Sequence, residues 1–281
     1  MNTDKLTDLI NKCKSKHLYK LFNEELKNFI TYKEFKKMFK NYHKLSGTNK
    51  LYEDLRYENE GEIIWMDINQ EFGIKISIHD SLISSIYMIP INKEDQISTS
   101  KNEYIMPIDD KFYVYWGGDN ELLNYHHAYT NQKYAYDLVV VNKGLTYTKD
   151  SSKVENYFCY ESNVLAPCSG EVIKVENTIN DNEIGDKNEY QFLGNYIVLK
   201  HANEEYSLIA HLKKDSIKVA IGDKVNSGEL IAQVGNSGNS TEPHIHFQLM
   251  DNSDLMNAKS LKIRFYNGVE YKKGDYVFPA I

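Results

Sequence analysis

The residues best equipped for chemistry lie near the end of this 281-residue sequence. Gly235 to Phe247 reads Gly-Asn-Ser-Gly-Asn-Ser-Thr-Glu-Pro-His-Ile-His-Phe, a turn-forming run that ends in Pro243 and delivers His244-Ile245-His246. On a strand, residues two apart share a face. Both imidazoles therefore emerge together while Ile245 turns into the core. Six of the nine histidines fall in the part of the chain that begins at Lys111: His126, His127, His201, His211, His244 and His246. Asp137 opens the apolar run Asp-Leu-Val-Val-Val, and His211 closes Tyr-Ser-Leu-Ile-Ala-His. Imidazole and carboxylate are zinc ligands, and a catalytic zinc uses three protein ligands and keeps one position open. Two histidines and an aspartate satisfy that count. The remaining histidines are suited to acid–base work, because imidazole titrates near neutrality. The sequence has no His-Glu-x-x-His helix, so the glutamate base of that arrangement is missing.

These residues need a rigid frame. From Lys111 onward the pattern is β. Tyr113 and Tyr115, Leu138 to Val141, Glu171 to Val175, Tyr196 to Lys200, Ser207 to His211 and Leu230 to Val234 alternate like strands, separated by turns at Gly117-Gly118, Ser169-Gly170, Gly194-Asn195, Gly222-Asp223 and Ser227-Gly228. Many short strands with regular turns predict an all-β antiparallel sandwich or hybrid barrel over 111–281. The first half differs. Residues 3–46 carry three helical stripes: Leu6, Leu9, Ile10 and Cys13; Leu18, Leu21, Phe22, Leu26 and Phe29; and Phe35, Met38, Phe39 and Tyr42 behind a Thr31/Glu34 capping box. Strands follow at Glu62 to Ile68, Ile74 to Ile78 and Ser84 to Ile89. Residues 1–91 thus predict an α+β domain whose layout resembles the nuclear-transport-factor type, and the polar stretch 92–110 is expected to be a linker.

Composition narrows the function. Hydrophobic residues make up 41% and charged residues 26%, with a net charge of −7, which fits a globular protein with a real core. The negative charge argues against a nucleic-acid partner, and the apolar runs are too short for a membrane span. Residues 1–16 show no apolar h-region, so no signal peptide is visible. By sequence the protein is cytoplasmic, or extracellular at a cell wall if a leader was removed or export is non-classical. The three cysteines have no metal-type spacing and are expected to be free thiols.

The order of a histidine, a later aspartate, a lone histidine in Ala-His-Leu and a terminal His-x-His resembles the lysostaphin/LytM-type zinc endopeptidases, which cleave peptide bonds in bacterial peptidoglycan. Ala166-Pro167-Cys168-Ser169-Gly170-Glu171-Val172, Gly194-Asn195-Tyr196 through His201, Gly222-Asp223-x-Val225-x-x-Gly228 and Gly235-Asn236-Ser237-Gly238 extend the likeness over about 120–250. The resemblance implies one Zn2+ per chain on His126, Asp137 and His246, with His211 and His244 as an unligated catalytic pair. His127, next door, is the alternative ligand. Ten residues separate His126 from Asp137, where the family's common form has three. Asn236, Ser237, Thr241 and Tyr134 are the candidate substrate contacts, and His201 is expected to be structural. The implied substrate is peptidoglycan or another peptide. The alternative is a catalytically inactive β module of the same fold, acting as activator or scaffold, which should lack at least one member of the set.

Overall fold

The computed structural model describes residues 1–58, 60–92 and 97–280. The chain forms two compact units, Met1–Asp95 and Gln96–Ile281.

The first unit opens with four helices, α1 (Thr3–Asn11), α2 (Ser15–Tyr19), α3 (Glu24–Phe29) and α4 (Tyr32–Leu45). Thr31 and Glu34 form the expected capping box on α4. The second helical stripe is divided between α2 and α3, because Phe22 leaves the helix to bridge Ile83 of the sheet. Its last member, Phe29, is 87% exposed, against expectation. An antiparallel meander follows: β1 (Asn49–Asp54), β2 (Gly61–Asp67), β3 (Phe72–His79) and β4 (Leu82–Pro90). Phe22, Phe35, Phe39, Trp65, Ile74 and Ile76 fill the core between helices and sheet.

The second unit contains β5 (Phe112–Trp116), β6 (Tyr136–Val139), β7 (Asn163–Leu165), β8 (Gly170–Glu176), β9 (Asn195–Lys200), β10 (Tyr206–Leu212), β11 (Lys224–Val225), β12 (Leu230–Gln233), β13 (Ile245–Met250), β14 (Ser260–Leu261) and β15 (Tyr276–Val277). Nine of them form one antiparallel sheet ordered β11-β8-β9-β10-β13-β6-β5-β15, with β14 beside β13. β7 and β12 pair separately. The large sheet stays open, with β11 and β15 at its two ends, so it does not close into a barrel. Alternation sorts its faces. Ile197, Leu199, Ile209, Ile245, Phe247 and Leu249 point into the main core, while Val198, Leu208 and Met250 cover the opposite face.

The expected linker is corrected in its described part. Its residues 93–96 lie outside the described residues, but 97–110 is built into the second unit. Ser100 and Tyr104 donate backbone N–H to Lys262 and Arg264 carbonyls at 2.9 and 3.0 Å. The buried Glu205 carboxylate accepts the Lys101 and Asn102 amides and the Tyr104 hydroxyl. Tyr104, Met106, Pro107 and Ile108 are buried, a short apolar run outnumbered by the polar residues on either side of it. Among the described residues, no helix is long and apolar enough to cross a membrane. All three cysteines are free.

Candidate active site

Three neighbouring strands carry the chemistry. Asp137 on β6 faces His246 on β13, which in turn faces Ala210 on β10. Directly opposed residues of antiparallel strands point to the same side. His246 and Asp137 therefore share the face opposite the main core. Alternation alone would send His211, one residue past Ala210, the other way. A register shift between Ile209 and Leu212 and a φ of +62° at His211 turn it back. A bulge of this kind re-aims a side chain and raises local strain. The His211 and His246 ring centres end 5.9 Å apart, and those of His211 and His244 4.7 Å apart.

His126 reaches the site from a single 3-10 turn, Tyr125–Ala128, whose cap is Asn124. The Asn124 side chain accepts the His126 amide at 3.2 Å and donates to the Ala135 carbonyl at 3.0 Å, tying the turn to the start of β6. His126 Nε2 lies 2.9 Å from Asp137 Oδ2, and His246 Nδ1 lies 2.9 Å from Oδ1. All three residues are buried. Their ligand atoms fall within 4.8 Å of one another. His127 is not part of that group; it is buried with its ring edge against Tyr134.

The electrostatics match the packing. Burial alone would raise the Asp137 carboxyl, but the His126 and His244 imidazoles and hydrogen bonds with His126 and His246 hold it well below the ordinary carboxylate value. Burial lowers His126. Burial, with His244 and His246 alongside, pushes His211 well below the usual imidazole value, so it is neutral. Its Nδ1–H donates to the Ser237 carbonyl at 2.8 Å, which leaves the Nε2 lone pair free to accept a proton. His244 sits just before β13, with Nδ1 2.9 Å from the Glu242 carbonyl.

The support for His211 is a close contact of two loops. Gly194 has φ +60° and Gly238 φ +80°, and a Cβ on either would strike the other loop's backbone, Ser237 in one case and Gly194 in the other. Ser237 itself is fully buried. Its hydroxyl donates to the Leu212 carbonyl at 2.7 Å and accepts the Asn195 amide at 2.9 Å.

Two imidazole nitrogens and a carboxylate suit a zinc ion, whose bonds of about 2.0–2.1 Å place tetrahedral ligand atoms roughly 3.3 Å apart. His126 Nδ1 is buried with no hydrogen-bond partner, so the polar function of that ring is directed through Nε2 at Asp137. The donor set and its burial fit the metal.

The expected substrate contacts are mostly placed elsewhere. Asn236 is buried, donating to the Asn182 carbonyl and accepting from Ser240, so it braces the loop. Ser237 braces His211. Tyr134 is buried behind His127. The Thr241 side chain is exposed. His201 has both nitrogens engaged, with the Ser169 carbonyl and the Ser207 hydroxyl. Sequence reasoning missed Asn124 and Gln248. Gln248 lies 2.8 Å from His246 Nε2, and the period of two along β13 places it on the same face.

Residues 155–258 match the profile of Peptidase family M23. That stretch holds His211, His244 and His246, while His126 and Asp137 precede it. An uncharacterized metalloprotease of Buchnera aphidicola is 42% identical over 71 residues, 25% of this chain and 18% of the relative. The peptidoglycan DD-endopeptidase ShyA of Vibrio cholerae is 34% identical over 84 residues, 30% of this chain and 19% of the relative. The glycyl-glycine endopeptidase ALE-1 of Staphylococcus capitis is 41% identical over 61 residues, 22% of this chain and 16% of the relative. The chain thus spans less than a fifth of the length of these curated relatives. The catalytic domain of lysostaphin from Staphylococcus simulans superimposes with a TM-score of 0.31 at 23% identity, covering 54% of this chain and 88% of that one. The second unit of this chain contains a peptidase family M23 domain, of the lysostaphin/LytM type.

Proposed function

We propose that this protein is a zinc-dependent endopeptidase that hydrolyses peptide bonds of peptidoglycan. The observation that carries this reading is the convergence of His126, Asp137 and His246 on one point, with two further imidazoles beside it. His126 Nε2, an Asp137 carboxylate oxygen and His246 Nδ1 would hold the metal. When bound, zinc supplies Lewis acidity, which polarises a carbonyl and lowers the pKa of water from 15.7 towards about 7.

The chain's own residues do the proton work. His211 is neutral and oriented by the Ser237 carbonyl, so its Nε2 is the acceptor for the proton of the attacking water. His244, pinned through Nδ1 by the Glu242 carbonyl, presents Nε2 beside it, 3.9 Å from Asp137 Oδ1. The pair stabilises the developing oxyanion and returns a proton to the leaving amine. An inactive module should have lost a member of this set, and all five are present. Peptidoglycan as substrate is supported by relatives named as peptidoglycan and glycyl-glycine endopeptidases.

The test is digestion of peptidoglycan, with the cut bond identified by mass spectrometry and zinc measured per chain. His126→Ala, Asp137→Ala and His246→Ala should lose zinc. His211→Ala and His244→Ala should keep it and lose turnover by about 10²- to 10⁴-fold. Digestion that a chelator leaves unchanged would overturn the reading.

A further inference from the structure

We propose that Gln248, anchored by the Asn131 carbonyl, is a positioning residue that fixes the tautomer of His246 and thereby sets how tightly the site holds its metal. This rests on the metal-centre reading above. Gln248 is 1% exposed, and both ends of its amide are engaged. Its Nε2 lies 3.0 Å from the Asn131 carbonyl oxygen. A carbonyl only accepts, so the amide nitrogen must be the end that faces it. The amide oxygen is then the end that faces His246 Nε2, at 2.8 Å. That oxygen also only accepts, so His246 Nε2 must carry a proton. In the neutral ring the lone pair is left on Nδ1, which points at Asp137 Oδ1 from 2.9 Å. That lone pair faces the point on which the ligand atoms of His126, Asp137 and His246 converge.

The anchor comes from the stretch that departs from the family's spacing. Asn131 lies within the ten residues between His126 and Asp137. That stretch is fastened to the segment around β14. The Asn131 side-chain Nδ2 donates to the Leu255 carbonyl at 3.0 Å, the Ser260 backbone N–H donates to the Thr130 carbonyl at 2.9 Å, and the Tyr134 backbone N–H donates to the Ser260 hydroxyl at 3.0 Å. The longer His–Asp connection thus supplies the fixed carbonyl that orients Gln248, which in turn orients His246. Partners of this kind behind a metal ligand are worth about 10- to 100-fold in metal affinity.

The test measures zinc affinity of the full chain by competition with a chromophoric chelator, for wild type, Gln248→Met and Gln248→Glu. Methionine fills the same space with only a weak thioether acceptor in place of the amide oxygen and should bind zinc about 10- to 100-fold more weakly. Glutamate keeps the acceptor for His246 Nε2–H and should stay within about threefold of wild type, although it loses the donation to Asn131. A packing role predicts the reverse order, because buried glutamate is the disruptive change and methionine the tolerated one. Methionine equal to wild type, or glutamate as weak as methionine, would overturn the proposal. A variant-free check is the 15N spectrum of the zinc-loaded wild type. His246 should show a protonated Nε2 and a metal-bound Nδ1, and the opposite assignment would overturn it. Wild type that binds zinc yet cleaves no peptide would refute the proposed function and leave this inference standing. Wild type that takes no zinc would overturn both.

Discussion

Ser237→Ala removes one oxygen from the second unit and tests how the fold holds its base. The Ser237 hydroxyl is fully buried and joins the end of β10 to the start of β9: it donates to the Leu212 carbonyl at 2.7 Å and accepts the Asn195 amide at 2.9 Å. The Leu212 carbonyl keeps a second donor in Asn195 Nδ2, at 2.9 Å, so it remains paired in the variant. The Asn195 amide is left without that acceptor. A buried donor stranded in this way costs about 1–3 kcal/mol, and the lost hydroxyl bond adds about 1 kcal/mol. The sum, about 2–4 kcal/mol, corresponds to a fall in Tm of roughly 5–15 °C for a unit of 150–250 residues. The same change frees the loop whose carbonyl holds His211 Nδ1, and turnover should fall by about 10- to 100-fold, the scale of a misplaced catalytic group. Thermal melting and peptidoglycan turnover on one preparation give both numbers. A Tm within about 2 °C of wild type would refute the accounting of buried donors. A large Tm loss with unchanged turnover measured well below the new Tm would refute the link from Ser237 to His211.

Gly238→Ala should be still more damaging, by several kcal/mol, since it combines a φ of +80° with a clash against Gly194 backbone, and chemical denaturation would measure it. His201 is held neutral, its pKa lowered chiefly by burial, so the unfolded chain binds its proton more readily. Its share of stability is therefore complete above the unfolded pKa of about 6.5 and is lost as pH falls below it, and His201→Gln should remove that part of the slope in denaturation curves taken between pH 5 and 8. The Cys159 thiol is buried, its pKa pushed up to about 12, and it contacts the Pro243 carbonyl, so alkylation at neutral pH should spare it in the native protein and modify it on unfolding; rapid native labelling, followed by peptide mass spectrometry, would contradict this.

Much of this arrangement was legible before the structure. The strand alternation around Ile245, Phe247 and Leu249 and the turn glycines announced the sheet, and His244, His246 and Asp137 stood out by type and order. Other parts were hidden for identifiable reasons. Residues 97–110 look like a linker because their polar residues outnumber the buried Tyr104, Met106 and Ile108, and because the acceptor that fixes them, Glu205, lies about a hundred positions away. Two-residue strands such as β11, β14 and β15 are too short to show a period. The choice between His126 and His127 depends on a single turn capped by Asn124, where neither strand nor helix periodicity applies. His211 gave no warning that its backbone turns left-handed; alternation would have pointed it into the core. The expected substrate contacts Asn236, Ser237 and Tyr134 are buried because polar turn residues near a site serve the loop as readily as a ligand.

The pairing of Asp137 with His246 joins residues 109 positions apart. Contacts of such long range carry a high loop-closure cost and form late, after local hairpins such as β9–β10. A one-residue slip of β13 against β6 would also send His246 to the core face. Assembly of the His126, Asp137 and His246 cluster thus belongs to the later, long-range stage of folding. A chain misregistered at β13 holds every histidine yet does not bring His246 to Asp137, so the proposed activity depends on that long-range strand pairing.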